Sequence, residues 1–75
     1  MMKFVVCISR QDCGAISTDD LTLGRLYEVM ALADSRGMVR VIDDSGEDCL
    51  YPADLFEDVE VQERTASRLH ELLVA

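Results

Sequence analysis

The chain has 75 residues, 49% of them hydrophobic, and a net charge of −8. That length makes one domain, and the apolar content excludes a disordered chain despite the charge. Nine of the fifteen acidic residues lie between Asp43 and Glu63, a stretch without Lys or Arg, so the field has the wrong sign for DNA or RNA phosphates and for an anionic membrane surface.

The amino end, MMKFVVCISR, holds an apolar run only from Phe4 to Ile8. This is shorter than the roughly 7–15 residues of a signal-peptide core, and no stretch approaches membrane-spanning length. The expected location is the cytoplasm. Lys3 to Ser9 is rich in β-branched and aromatic residues and predicts a first strand. Both faces are apolar, with Phe4, Val6 and Ile8 on one and Val5 and Cys7 on the other. Such a strand must be covered on both sides.

A polar loop over Arg10–Asp20 leads to Gly24, which suits a turn needing positive φ, and then to a second strand over Arg25–Leu32. Tyr27, Val29 and Ala31 share one face of it, and Leu26, Met30 and Leu32 share the other with Glu28. ADSRG closes a hairpin into a third strand, Met38–Asp43. DDSG is the next turn, where Asp and Ser bond their own backbone. Glu47–Tyr51 is the fourth strand, Pro52–Leu55 a 3₁₀ turn, and Phe56–Val61 the last strand. From Gln62 the period changes: Ala66, Leu69, Leu72 and Leu73 recur at helical spacing. A helix of about twelve residues is marginal alone in water, so its leucine stripe must dock, and the second face of the first strand is the candidate site. The expected fold is mainly β: a small five-stranded barrel over residues 1–61 with a C-terminal α-helix over 62–75.

The ordered string LTLGRLYEV … VRVIDDSGEDCLYPADLFE resembles an SH3-like barrel. DDLTLGRLYEV looks like its diverging turn and following strand, and CLYPADLFEDVE like its fourth strand, proline-led 3₁₀ turn and closing strand. The string is also similar to small, mostly uncharacterised proteins of bacterial and phage or prophage genomes with this fold. The likeness covers residues 1–61. It implies a protein-binding groove built around Tyr51, Pro52 and Phe56, with Asp19 and Asp20 in the loop that carries acidic specificity residues in peptide-binding members. The chain has no Trp and no ALYDY-like opening, so most of the aromatic ladder that grips a polyproline helix is missing.

The acidic residues and cysteines give weak chemical signals. An EF-hand calcium loop needs Gly at its sixth position; counted from Asp43, Gly46 is the fourth. Asp43, Asp44, Glu47 and Asp48 sit on a turn, where water screens paired carboxylates from the pKa shifts that acid–base catalysis requires. Cys7, Cys13 and Cys49 are an odd number, unlike a secreted disulfide framework. The expectation is reduced thiols, with Cys7 and Cys49 as small apolar strand residues. A zinc site would need Cys7, Cys13, Cys49 and His70 brought together, and the Cys7–Cys13 spacing is wider than in zinc knuckles. His70 reads as a helix-surface residue, and Met30 and Met38 as core or interface filler. No catalytic residue, metal or cofactor is assigned.

The sequence thus points to a non-enzymatic protein-interaction module whose binding residues are Tyr51, Pro52 and Phe56 on the barrel and Leu69, Leu72 and Leu73 on the helix. The surplus apolar surface also raises a homodimer through the C-terminal helix. Two other readings are an acidic decoy for a basic, nucleic-acid-binding protein and a small thiol-metal protein. Nucleic acid and membrane are not expected partners.

Overall fold

A computed structural model describes residues 3–11 and 17–74. In chain order the elements are β1 (Lys3–Cys7), β2 (Leu26–Ala31), β3 (Met38–Ile42), β4 (Asp48–Pro52), a 3₁₀ turn over Ala53–Leu55, β5 (Phe56–Val59) and α1 (Glu63–Val74). The strands form one antiparallel sheet in the order β4-β3-β2-β1-β5. The architecture is therefore mainly β with a C-terminal helix.

The expected barrel does not close. Among the described residues no ladder joins β4 to β5, which remain the two edges of the sheet. The reason lies at Pro52. It ends β4 opposite Met38, as a residue without an N–H can do on an edge strand. The 3₁₀ turn then carries the chain across the sheet, and β5 pairs with β1, Cys7 opposite Phe56. Leu55 O accepts from the N–H groups of Ile8 (2.8 Å) and Ser9 (3.3 Å), so β1 stops at Cys7, before the predicted Ser9. β5 likewise stops at Val59, before the predicted Val61.

The sheet curls around one core in which Val5, Cys7, Tyr27, Val41, Tyr51 and Phe56 meet. Phe56 contacts both tyrosine rings edge-on, with centroids 6.1 Å from Tyr27 and 6.3 Å from Tyr51, within the preferred range for aromatic pairs. Phe4 stands opposite Glu28, on the other side of β1 from Val5 and Cys7, yet its exposure is 0%. The helix supplies the cover: α1 packs against β2 of the same chain, and Ala66 is buried. Leu69 and Leu73 are half-buried, at i+3 and i+7 from Ala66, whereas Leu72 turns outward and is exposed.

A register shift between Val29 and Ala31 interrupts the β2–β3 ladder. A bulge of this kind twists and re-aims a strand end. Here Met30 and Leu32, expected beside Leu26 on the second apolar face, are 51% and 67% exposed.

Candidate functional site

The turn after β3 was expected to carry solvated carboxylates. Asp43 is instead buried. Its Oδ2 accepts from the Tyr51 hydroxyl at 2.8 Å. Its Oδ1 accepts from the Ser45 N–H at 2.9 Å and from the Ser45 hydroxyl. Burial alone would raise the Asp43 pKa, but the bonds from Ser45, Tyr51 and Cys49 outweigh it and hold the carboxyl below its ordinary value. Asp44, the next residue, serves the other tyrosine. Its Oδ1 accepts from Tyr27 Oη at 2.8 Å and from Arg25 Nη1 at 2.5 Å, and its Oδ2 from the Thr22 hydroxyl at 2.8 Å. The Thr22 N–H donates back to Tyr27 Oη at 2.6 Å. Both tyrosines are thus core residues whose hydroxyls are engaged by two successive aspartates. Burial, reinforced by the neighbouring carboxylate in each case, raises both phenol pKa values.

These partners engage the carboxylates of Asp43 and Asp44 within the fold. Both described cysteines have thiol pKa values raised above the ordinary value. Cys7 is buried, with its thiol 3.3 Å from Ser9 O, and burial pushes its pKa up. Burial and the Asp43 carboxylate do the same to Cys49. A raised pKa suppresses the thiolate that nucleophilic attack or metal binding requires. Among the described residues, no three His, Cys, Asp or Glu side chains converge on a point that could hold a metal. Cys13 lies outside the described residues, so its part in the Cys₃His set is not placed. His70 is not a free helix-surface group: its Nδ1 lies 2.5 Å from Oε1 of Glu28, a residue with a side chain only 8% exposed.

The residues expected to bind a partner are distributed unevenly. Tyr51 and Phe56 are buried in the core, leaving little ring surface for another molecule, while Pro52 is half-buried at the β4 edge. Leu69 and Leu73 lie on the half-buried side of α1, and Leu72 lies outside. Ile8, Leu23, Met30 and Leu32 are also exposed, and the last two line clefts. A cleft of about 310 Å³ opens between Val5, Val29, Val39 and Phe56, with Glu57 and Asp58 at its rim. A second, of about 660 Å³, runs past Met30, Leu32, Val59 and Val61, with Glu60 at its rim. Lys3, Val29, Leu32 and Asp58 line both. The bulge in β2 creates this face by turning Met30 and Leu32 outward. Alternation groups both residues with Leu26 and Glu28 on one face of β2 and gives no sign of the register shift that follows Val29.

The cations are dispersed. Lys3, Arg25, Arg36, Arg40 and Arg68 each pair with a carboxylate of their own. Among the described residues no helix is long and apolar enough to cross a membrane. In comparisons with known proteins, no family model matches the chain, and neither a curated protein nor a solved structure is significantly similar to it.

Proposed function

We propose that the chain is a non-enzymatic protein-interaction module with an SH3-like arrangement, of the kind encoded by bacterial and phage or prophage genomes and working in the cytoplasm. The supporting fold features are a Gly24 turn entering β2, a β3–β4 hairpin, and a 3₁₀ turn after Pro52 that delivers β5 to β1. One observation carries the function: Met30 and Leu32 stand exposed over adjoining clefts, while the polar groups suited to chemistry are engaged within the fold. An exposed apolar face bordered by charge marks an interaction site.

Affinity capture from native lysate at physiological salt tests this reading, with the wild type compared with a Met30→Asp/Leu32→Asp variant. Proteins retained by the wild type and lost by the variant are expected; identical retention by both removes the reading.

The acidic decoy is a second reading, favoured by the unbroken acidic stretch from Asp43 to Glu63. It requires capture of basic proteins that weakens steeply with salt and is indifferent to Met30 and Leu32. A homodimer through α1 would use Leu72, the outward member of the leucine stripe. Sedimentation as a monomer at high concentration removes it.

A further inference from the structure

The face beside β5 has a particular charge pattern. Glu57 and Asp58 border one cleft and Glu60 the other, placing three carboxylates within four residues along an edge strand and its exit. Among the described residues, Lys3 is the one cation lining either cleft. It is 3.5 Å from Asp58, with both side chains substantially exposed, so it offsets a single charge of the three. Between these carboxylates and the outer end of β2 lies the apolar floor of Val29, Met30, Leu32 and Val59.

We infer that this face docks a cationic amphipathic segment of another protein, its apolar side chains over Met30 and Leu32 and its Lys or Arg residues against Glu57, Asp58 and Glu60. This rests on the interaction-module reading and adds the site and the partner's chemistry. Charge decides between occupants. A second copy seated on this face would bring two carboxylate-bordered surfaces together, and each copy carries a net charge of −8. Like charges brought together at an interface oppose association. An acidic or neutral segment leaves the carboxylates uncompensated, whereas a cationic one satisfies them while covering the exposed side chains. Apolar anchors in the clefts supply the affinity, and the rim charges supply selectivity and encounter rate.

The test is titration of the full, isotope-labelled chain at physiological salt with a synthetic amphipathic peptide of leucine and lysine, followed by amide NMR. A matched peptide with glutamate for lysine is the control. Saturable shifts are expected at residues 29–32 and 56–61 with the lysine peptide and none with the glutamate peptide. Leu32→Ser/Met30→Ser should weaken binding about tenfold or more. Glu57→Lys/Asp58→Lys should weaken it to a similar extent, and Leu72→Ser on the far side of α1 should leave it unchanged. All these positions are exposed, so the variants retain the fold. Shifts centred on residues 43–48, equal binding of both peptides, equal weakening by Leu72→Ser, or no binding each overturns the inference. If the lysine peptide fails while lysate proteins still require Met30 and Leu32, the module stands and the assigned chemistry falls.

Discussion

His70 Nδ1 lies 2.5 Å from Glu28 Oε1 and joins the middle of α1 to the middle of β2 across 42 positions of sequence. Glu28 is almost wholly withdrawn from solvent, while His70 keeps about half of its side-chain surface. The pair is the polar part of the packing of α1 against β2. It fixes where along the sheet the helix sits, which the leucine stripe alone does not specify.

Removing His70 should therefore strand the Glu28 carboxylate. His70→Ala is expected to destabilise the fold by about 1–3 kcal/mol, the typical cost of an unsatisfied buried acceptor. Pairing it with Glu28→Leu should cost less than the two single changes added together, because the second change removes the orphan. Urea denaturation of the four proteins checks the coupling; strict additivity would show that the two side chains do not interact.

Phe4 tests the role of the helix as a cover. Phe4→Ala is expected to cost about 3–5 kcal/mol, comparable to the net stability of about 3–5 kcal/mol that a core of this size supplies. Circular dichroism should show that variant, and the chain cut after Val61, largely unfolded at 25 °C. A folded sheet after truncation would mean that α1 is dispensable.

The two aspartate–tyrosine pairs predict how stability varies with pH. Asp43 is depressed in the folded state, so its contribution is complete above the ordinary carboxylate pKa of about 4 and is lost as pH falls below it. Tyr27 and Tyr51 are raised, so theirs is complete below about pH 10 and is lost as pH climbs beyond it. Tyr51→Phe should lower stability at neutral pH by about 1–3 kcal/mol, since Asp43 loses a donor. It should also flatten the acid limb, because Asp43 would return toward its ordinary value. Thermal melts across the pH range, wild type against variant, measure both effects.

Gly46 closes the β3–β4 hairpin at φ +86°, with open space where a Cβ would stand. Gly46→Ala should therefore cost only the backbone penalty of about 1–2 kcal/mol, without a steric clash. A larger loss by chemical denaturation would show that the turn bears on the Asp43 and Asp44 network beyond its dihedrals.

Much of the fold is legible in the sequence because it depends on local signals. The continuous apolar run of β1, the alternation in β3, the Gly and Asp turns, Pro52 and the change to helical spacing after Gln62 place the elements within about two residues. Contacts made at long range are not legible in this way. Period-2 alternation identifies the faces of β2 but not what covers them, so the burial of Glu28 is not legible in it. A lone carboxylate among Leu26 and Met30, and a lone imidazole between Leu69 and Leu72, was the signal available. The Tyr27–Asp44 and Tyr51–Asp43 bonds join residues 17 and 8 positions apart and depend on the curl of the sheet, which brings both hydroxyls to one turn. The exposure of Met30 and Leu32 follows from a bulge for which Gly and Pro punctuation gives no warning.

Asp43 and Asp44 are neighbours on the chain, yet they grip side chains from two different strands, and Asp44 also holds Thr22 and Arg25 of the approach to β2. Releasing that turn unfastens three parts of the molecule together. The domain should consequently come apart all or none, and amide hydrogens at the turn should exchange with solvent as slowly as those in the central strands, despite lying at the tip of a hairpin.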